Sequence, residues 1–413
     1  MDETRNLFLA LLKASLRGER PELRRKPDKQ EWDLVLKLAG MHRVLPLMLN
    51  AVYPDLRDCD PELAEAVKRQ ARQQIVFQTM KTMAFLDLNQ RLQQAGVKAL
   101  VVKGLVCREL YPTPDCRESA DEDILICGEW LHDARKVLQD FGLQTDMDLT
   151  QQSESYEIPY RGTQTPLYIE LHKQLFPPES EAVGDWNRFF ESAHDNAVPV
   201  QIRGTTVYTL NHTDHLFYLI CHAFKHFLHS GFGIRQVCDI MLYANCYGRQ
   251  ADWLQILENC CKIRADRFAA ALFRIGQNHL NFDPERAGYP DIWKAITVDE
   301  MPLLEDLLEG GVYGGASMSR RHSSNITLDA VASQKHGKKR KNAVLLSVFP
   351  TAEKLSGRYP YLKKYPVLVP LAWCHRLMRY AKETASTADS QATDALKIGN
   401  ERIALMREYG IIE

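Results

Sequence analysis

The chain has 413 residues, 45% of them apolar and 25% charged, which is ordinary soluble composition and enough length for two or three domains with their own cores. Its formal net charge of −1 gives no global electrostatic case for a nucleic-acid or membrane-surface partner. No apolar run approaches 18 residues, and the acidic start Met1-Asp2-Glu3-Thr4-Arg5 is unlike a secretory leader, so no membrane partner and a cytoplasmic setting are expected.

Residues 1–90 read as a helical region. Leu7, Leu9, Ala10, Leu12 and Leu16 follow a helical period, as do Trp32, Leu34, Val35, Leu38 and Ala39, and then Ile75, Met80, Met83, Leu86 and Leu88. Prolines 21, 27, 46, 54 and 61 punctuate them, and Gly96 is a stop signal for the last. From residue 91 to 210 the period shortens. Val97–Val102, Asp123–Cys127, Tyr156–Tyr160, Leu167–Leu171, Val198–Ile202 and Thr205–Thr209 read as strands, with a helix over Leu131–Phe141 closed by Gly142 and a hairpin turn at Arg203-Gly204. This predicts an α+β module with a mixed sheet. Residues 211–413 return to helices, beginning with the stripe Leu216, Leu219, Ile220, Ala223, Phe224 and Phe227. The run Gly310–Gly315, the polar segment to about 342 and its basic cluster Lys338–Lys341 predict a flexible loop near 310–342. The ten cysteines include no C-x-x-C pair, which fits small buried side chains in a reducing compartment rather than a disulfide framework.

Chemistry concentrates at Asp121-Glu122-Asp123-Ile124-Leu125-Ile126. Residues i and i+2 of a strand share a face, so Asp121 and Asp123 are expected side by side with Glu122 turned away. Two unit charges 4 Å apart repel by about 4 kcal/mol at an effective dielectric near 20, which a bound cation relieves. Upstream, Val101-Val102-Lys103-Gly104 is a strand ending in a cation and a residue that lets backbone approach a ligand. Downstream, Glu170 stands alone among apolar neighbours in Leu167–Leu171. A metal-dependent nucleotidyl transfer needs these parts: Asp121, Asp123 and Glu170 to hold Mg²⁺ or Mn²⁺ or to accept the acceptor's proton, Lys103 and Gly104 to meet an NTP's phosphates, and Arg117 to bridge one of them. His222 and His226 lie four apart on one helical face beside Lys225, a spacing that zinc uses, but no third ligand is near in sequence. Arg235 and Asp239 are one turn apart and predict an ion pair.

These motifs resemble one known family. Leu100-Val101-Val102-Lys103-Gly104, Tyr111-Pro112-Thr113-Pro114, Arg117 and Asp121-Glu122-Asp123-Ile124-Leu125-Ile126 are similar to the signature of the uncharacterised bacterial nucleotidyltransferases. So are Ile169-Glu170-Leu171-His172, His222-Ala223-Phe224-Lys225-His226 and Gly233-Ile234-Arg235-Gln236-Val237-Cys238-Asp239, with Phe349-Pro350, Arg358-Tyr359-Pro360 and Pro370–Trp373 further on. The resemblance implies a DNA-polymerase-β-like nucleotidyltransferase fold flanked by helical regions, and it places His172, Lys225 and Arg235 with the nucleotide. Glu122 departs from the family's apolar residue between the acids, which predicts an exposed strand edge. The third acid is Glu, and Lys-Gly stands where the superfamily has Gly-Ser.

The expected function is therefore transfer of an NMP group from an NTP to a hydroxyl of a small molecule, protein or tRNA. Two rivals remain: a catalytically degenerate fold that binds a nucleotide or a partner, and a toxin-like enzyme that modifies tRNA or protein.

Overall fold

The computed structural model describes residues 1–23, 25–229, 231–310, 318–335, 352, 355, 359, 361–385 and 392–413. They form two compact units, Met1–Phe224 with Gly233–Val312, and Lys225–Phe232 with Tyr313–Glu413. The N-terminal helices, the sheet and most of the following helices share one unit.

That unit opens with α1 (Glu3–Arg17), α2 (Lys29–Met41), α3 (Leu45–Cys59) and α4 (Pro61–Gln94). Asp2, Asp28 and Asp60 cap α1, α2 and α4 by accepting from the N–H groups of Arg5, Glu31 and Leu63, so three otherwise orphaned donors are satisfied. Pro46 and Pro61 occupy first turns, where a missing N–H costs nothing, whereas Pro54 lies inside α3.

Seven strands come next: β1 (Leu100–Val102), β2 (Glu122–Leu125), β3 (Leu143–Gln144), β4 (Glu157–Gly162), β5 (Tyr168–His172), β6 (Val198–Ile202) and β7 (Thr205–Thr209). They make one sheet in the order β3-β4-β5-β2-β1-β7-β6. β2 runs parallel to β5 and β1 parallel to β7, while the other pairs are antiparallel, so the sheet is mixed as expected. Arg203 and Gly204 both take positive φ (49° and 79°), which turns β6 tightly into β7. Short helices α5 (Gly104–Arg108), α6 (Leu131–Asp140) and α7 (Leu149–Glu154) connect strands. Then come α8 (His212–His229), α9 (Ile234–Tyr247), α10 (Trp253–Lys262), α11 (Asp266–His279), α12 (Pro284–Ala287), α13 (Asp291–Lys294) and α14 (Met301–Gly310). Trp253, Phe273, Tyr289 and Trp293 form an aromatic core among the last of these, with Trp253 5.3 Å from Phe273 and 5.1 Å from Tyr289.

The 34-residue α4 is the brace of this unit. Near its end, Asn89 and Gln93 donate to the carbonyl of Thr206 on β7. In its middle it grips the loop that leads into β2. Thr79 and Thr82 donate to Asp115, Lys81 donates to the carbonyls of Ser119 and Ala120 at 2.6 and 2.9 Å, and Gln78 accepts from the Ser119 N–H. The apolar stripe expected there is divided: Leu86 and Leu88 are buried as expected, but its middle is turned outward. Met80 and Met83 are exposed with Val76 and Phe77, while Gln78, Lys81 and Thr82 are buried, because the loop needs donors that apolar side chains lack.

In the second unit, α15 (Met318–Lys335) occupies much of the segment expected to be a loop. It pairs with α18 (Ala392–Glu408), and Ile326 lies against Gly399, where a side chain would collide with it. Ser323, Ser324 and Thr327 are buried, and Thr327 donates to the Leu228 carbonyl, so small polar residues that resemble a linker in sequence are serving as a close-packing face. Leu355, Tyr359, Leu362 and Ala372 form a smaller cluster around α16 (Tyr361–Lys364) and α17 (Val369–Ala385). Residues 311–317, Lys338–Lys341, Phe349-Pro350, Arg358, Pro360 and 386–391 lie outside the described residues. Among the described residues no helix is long and apolar enough to cross a membrane.

Candidate functional site

The register of two parallel strands builds the centre of the site. Asp123 on β2 pairs directly with Glu170 on β5, and Leu125 pairs with His172. Directly paired residues face the same side, and i and i+2 share a face, so Asp123, Glu170 and His172 emerge together. One ligand atom from each lies within 4.8 Å of the others, a spacing that suits a metal ion. His172 Nε2 stands 3.1 Å from Asp123 Oδ1 and 3.6 Å from Glu170 Oε2, and Nδ1 is 3.7 Å from Glu157. Burial alone would lower the His172 pKa, but the hydrogen bonds to Asp123 and Glu170 raise it to about 9. Burial pushes the Glu170 carboxyl up.

Asp121 is not part of this trio. β2 begins at Glu122, so Asp121 precedes the strand and the alternation does not bind it. It is half-buried at the wall of the neighbouring pocket, where its charge acts on Lys103 and Glu170.

Lys103 follows β1 with φ 49°, a left-handed backbone unusual for a residue with a side chain. His215 holds it there by accepting the Lys103 N–H at Nε2, 3.1 Å away, while Thr209 Oγ1 fixes His215 Nδ1 at 3.0 Å. The Lys103 ammonium lies 3.0 Å from Asp123 Oδ2 and 3.1 Å from His222 Nε2. Burial opposes both charges of this pair, yet each stabilises the other. The lysine pKa stays well above, and the aspartate pKa well below, its ordinary range, with the His172 hydrogen bond adding to the latter. Among the described residues, Asp123 Oδ2 is buried with no well-aligned hydrogen bond, and the cation it faces is the Lys103 ammonium.

The opposite face of β2 corrects one expectation. Glu122 is not at an exposed edge; it is fully buried and paired with the equally buried Arg108. Ser119 donates to the same carboxylate at 2.7 Å, and Arg108 Nη1 donates to Thr82. An ion pair with its own hydrogen bonds replaces the apolar contact there. Gly104 is explained by the same pair, since a Cβ at that position would run into the Glu122 carboxylate. Close approach is needed as expected, but the group approached is Glu122.

A small, partly open cleft adjoins Lys103, with Gly104, Arg117, Ser119, Asp121, Leu219, His222, Arg235, Gln236 and Asp239 around it. Arg117 does line it, but Nε and Nη2 are bound to Asp239 at 3.1 and 2.6 Å, and Tyr111 donates to the same carboxylate. The expected Arg235–Asp239 pair is therefore replaced by Arg117–Asp239. Arg235 instead donates to the Glu118 carbonyl, and burial and the neighbouring Arg117 lower its pKa to about 10. Its Nε is buried without a hydrogen-bond partner among the described residues. Two guanidinium groups and an ammonium around one small cleft form a wall suited to an anion. The Gln236 amide stands 3.2 Å from His222 Nδ1. Lys225 belongs to the second compact unit. Among the described residues, His222 and His226 do not belong to any cluster of potential metal ligands.

Sequence reasoning missed Ser119, Lys81, Gln78, Arg108, His215 and Gln236. Lys81 and Ser119 are 38 positions apart, and no local period links them. His172 entered only through resemblance, although its i+2 spacing from Glu170 on a strand was signal enough.

A family model described as an uncharacterised nucleotidyltransferase matches residues 28–281. No curated protein matches the chain. The crystal structure of an antigenic nucleotidyltransferase-like protein from Paracoccidioides brasiliensis is 13% identical with a TM-score of 0.31, over 51% of this chain and 95% of that one. The matched residues run from α2 through α11 and take in the sheet, the Asp123–Glu170–His172 cluster and the cationic cleft; the chain belongs to the uncharacterised nucleotidyltransferase family.

Proposed function

We propose that this protein is a metal-dependent nucleotidyltransferase that moves an NMP group from an NTP to a hydroxyl acceptor. The observation that carries the reading is the convergence of Asp123, Glu170 and His172 within 4.8 Å beside a cleft walled by Lys103, Arg117 and Arg235. Asp123 and Glu170 are the carboxylates that would hold Mg²⁺ or Mn²⁺, with Asp121 as a further acid at the cleft. A bound divalent ion supplies charge neutralisation at the attacking and leaving oxygens.

The cleft receives the triphosphate. Lys103 and Arg235 meet its charge, and the Arg117–Asp239 pair keeps the wall in place. The acceptor oxygen attacks the α-phosphorus, the bond from that phosphorus to the bridging oxygen breaks, and pyrophosphate leaves. Glu170, whose burial favours holding a proton, takes the acceptor's hydroxyl proton.

The test is pyrophosphate release and label transfer from each labelled NTP in lysate containing small-molecule, protein and tRNA acceptors. Glu170→Gln is expected to retain NTP binding and to lose about 10²–10⁴-fold in rate. One observation favours a second reading, a nucleotide-binding module without turnover: Lys103 and His172 already neutralise Asp123. Tight NTP binding with pyrophosphate release no higher than that of Asp123→Asn supports this second reading.

A further inference from the structure

We infer that Lys103 is a transferable counter-ion that holds the Asp123 carboxylate until a nucleotide's phosphates draw its ammonium into the cleft, so that metal binding at Asp123 depends on nucleotide. The inference rests on the nucleotidyl-transfer reading and adds an order to it.

Both oxygens of Asp123 face a cation. Oδ1 faces His172 Nε2 at 3.1 Å and Oδ2 faces Lys103 Nζ at 3.0 Å. A divalent ion binds a carboxylate oxygen at about 2.0–2.1 Å, so one ligated by Oδ2 would crowd the ammonium. In buried surroundings two like charges that close repel strongly. The metal and the lysine therefore compete for one oxygen.

The lysine has somewhere else to go. It already lines the cleft that Arg117 and Arg235 make cationic, and His222 Nε2 accepts from it on that side. Its backbone does not need to move, because the His215 contact to the Lys103 N–H, itself braced by Thr209, pins the main chain. Only the four-carbon stem must swing. A triphosphate in the cleft offers the ammonium new oxygens, and its departure releases Asp123 Oδ2. Coupling of this kind is reciprocal: nucleotide tightens metal, and metal tightens nucleotide by the same factor.

The experiment titrates Mn²⁺, read by electron paramagnetic resonance of the free ion, into wild type, Lys103→Met and Lys103→Arg. Each is measured alone and with a non-hydrolysable α,β-methylene NTP. Wild type is expected to bind Mn²⁺ weakly alone and about tenfold more tightly with the analogue, whereas Lys103→Met binds about tenfold more tightly alone and gains little from the analogue. Lys103→Arg, which keeps the charge, should behave as wild type does alone. Equal Mn²⁺ affinity in wild type and Lys103→Met, with equal gains from the analogue, overturns the inference and leaves the nucleotidyl-transfer reading standing. No Mn²⁺ binding by any of them, with or without analogue, overturns both. Should Lys103→Met not fold, wild type alone decides. Acetylation of Lys103, followed by peptide mass spectrometry, should be slow without metal and several-fold faster once Mn²⁺ is bound. Unchanged protection of Lys103 with Mn²⁺ demonstrably bound overturns the inference.

Discussion

Asp123 and Glu170 sit directly opposite each other across the parallel pair β2–β5, and the cation they share in this structure is His172, two residues beyond Glu170. Opposed carboxylates that close are tolerated because Lys103 completes the neutralisation from the end of β1. The site is a balance of charges, and removing any one of them should unbalance the rest.

Asp123→Asn should be strongly destabilising in metal-free buffer. It leaves Lys103 and His172 buried without the anion between them, and breaking a buried pair costs about 3–5 kcal/mol. Asp121→Asn, at the half-buried cleft wall, should change stability by less than about 1 kcal/mol. Urea denaturation of the two variants decides, and equal effects would place Asp121 in the charge cluster after all.

Stability should fall on both sides of neutrality, for different histidines. Burial lowers the pKa of His215 to about 3 and that of His42 to about 4. Each takes up a proton more readily unfolded, so its contribution is complete above about pH 6.5 and is lost as pH falls, at about 1.4 kcal/mol per pH unit per residue. His172 has the opposite sign. Its folded pKa is raised to about 9, so its contribution is complete below about pH 6.5 and is lost as pH rises through 9. Urea midpoints measured with a chelator present should show that His215→Gln flattens the acid limb and His172→Gln the alkaline one. A limb unaffected by its own variant assigns that slope to other groups.

Gly104→Ala should destabilise by about 2 kcal/mol, since the new methyl meets a carboxylate that Arg108 and Ser119 hold rigidly. The penalty should shrink when Glu122→Ala and Arg108→Met are made together, which removes the obstacle without stranding a charge. A double-mutant cycle on melting temperature measures the coupling. Additive effects would mean that Gly104 is required for its backbone alone.

Arg235→Ala should reduce affinity for an NTP at least about tenfold, a loss in keeping with a buried charged contact, while leaving the melting temperature without ligand nearly unchanged. Burial and Arg117 already work against its charge, so little folding energy depends on it. Arg117→Ala should instead lower the melting temperature, because it strands Asp239 inside the protein. Calorimetric NTP titration alongside thermal melting separates the two arginines.

The parts of this site that lie on strands were legible because alternation is a local rule. The faces of Asp123 and Glu170 follow from it. Asp121 shows its limit: the strand starts one residue later than the D-x-D pattern assumes, so alternation does not fix that side chain's place. Glu122 was misjudged because its partner, Arg108, sits in the short helix after β1, and no periodicity pairs a helix end with the middle of a strand. Likewise α15 looked like a linker because serine and threonine (Ser323, Ser324 and Thr327) share its buried face with Ile326, Val331 and Ala332, and hydrophobic patterning does not count them.

The grip of α4 on the loop before β2 has a practical consequence for dissection of the protein. Lys81 and Gln78 supply hydrogen bonds to Ser119 and Ala120 that residues 91–210 do not replace among themselves. A fragment trimmed to the sheet would therefore lose the clamp that positions its own acids, and would fail as a minimal catalytic domain for want of a helix that precedes it in the chain. A piece that keeps this clamp must include α4 at least from Gln78 onward.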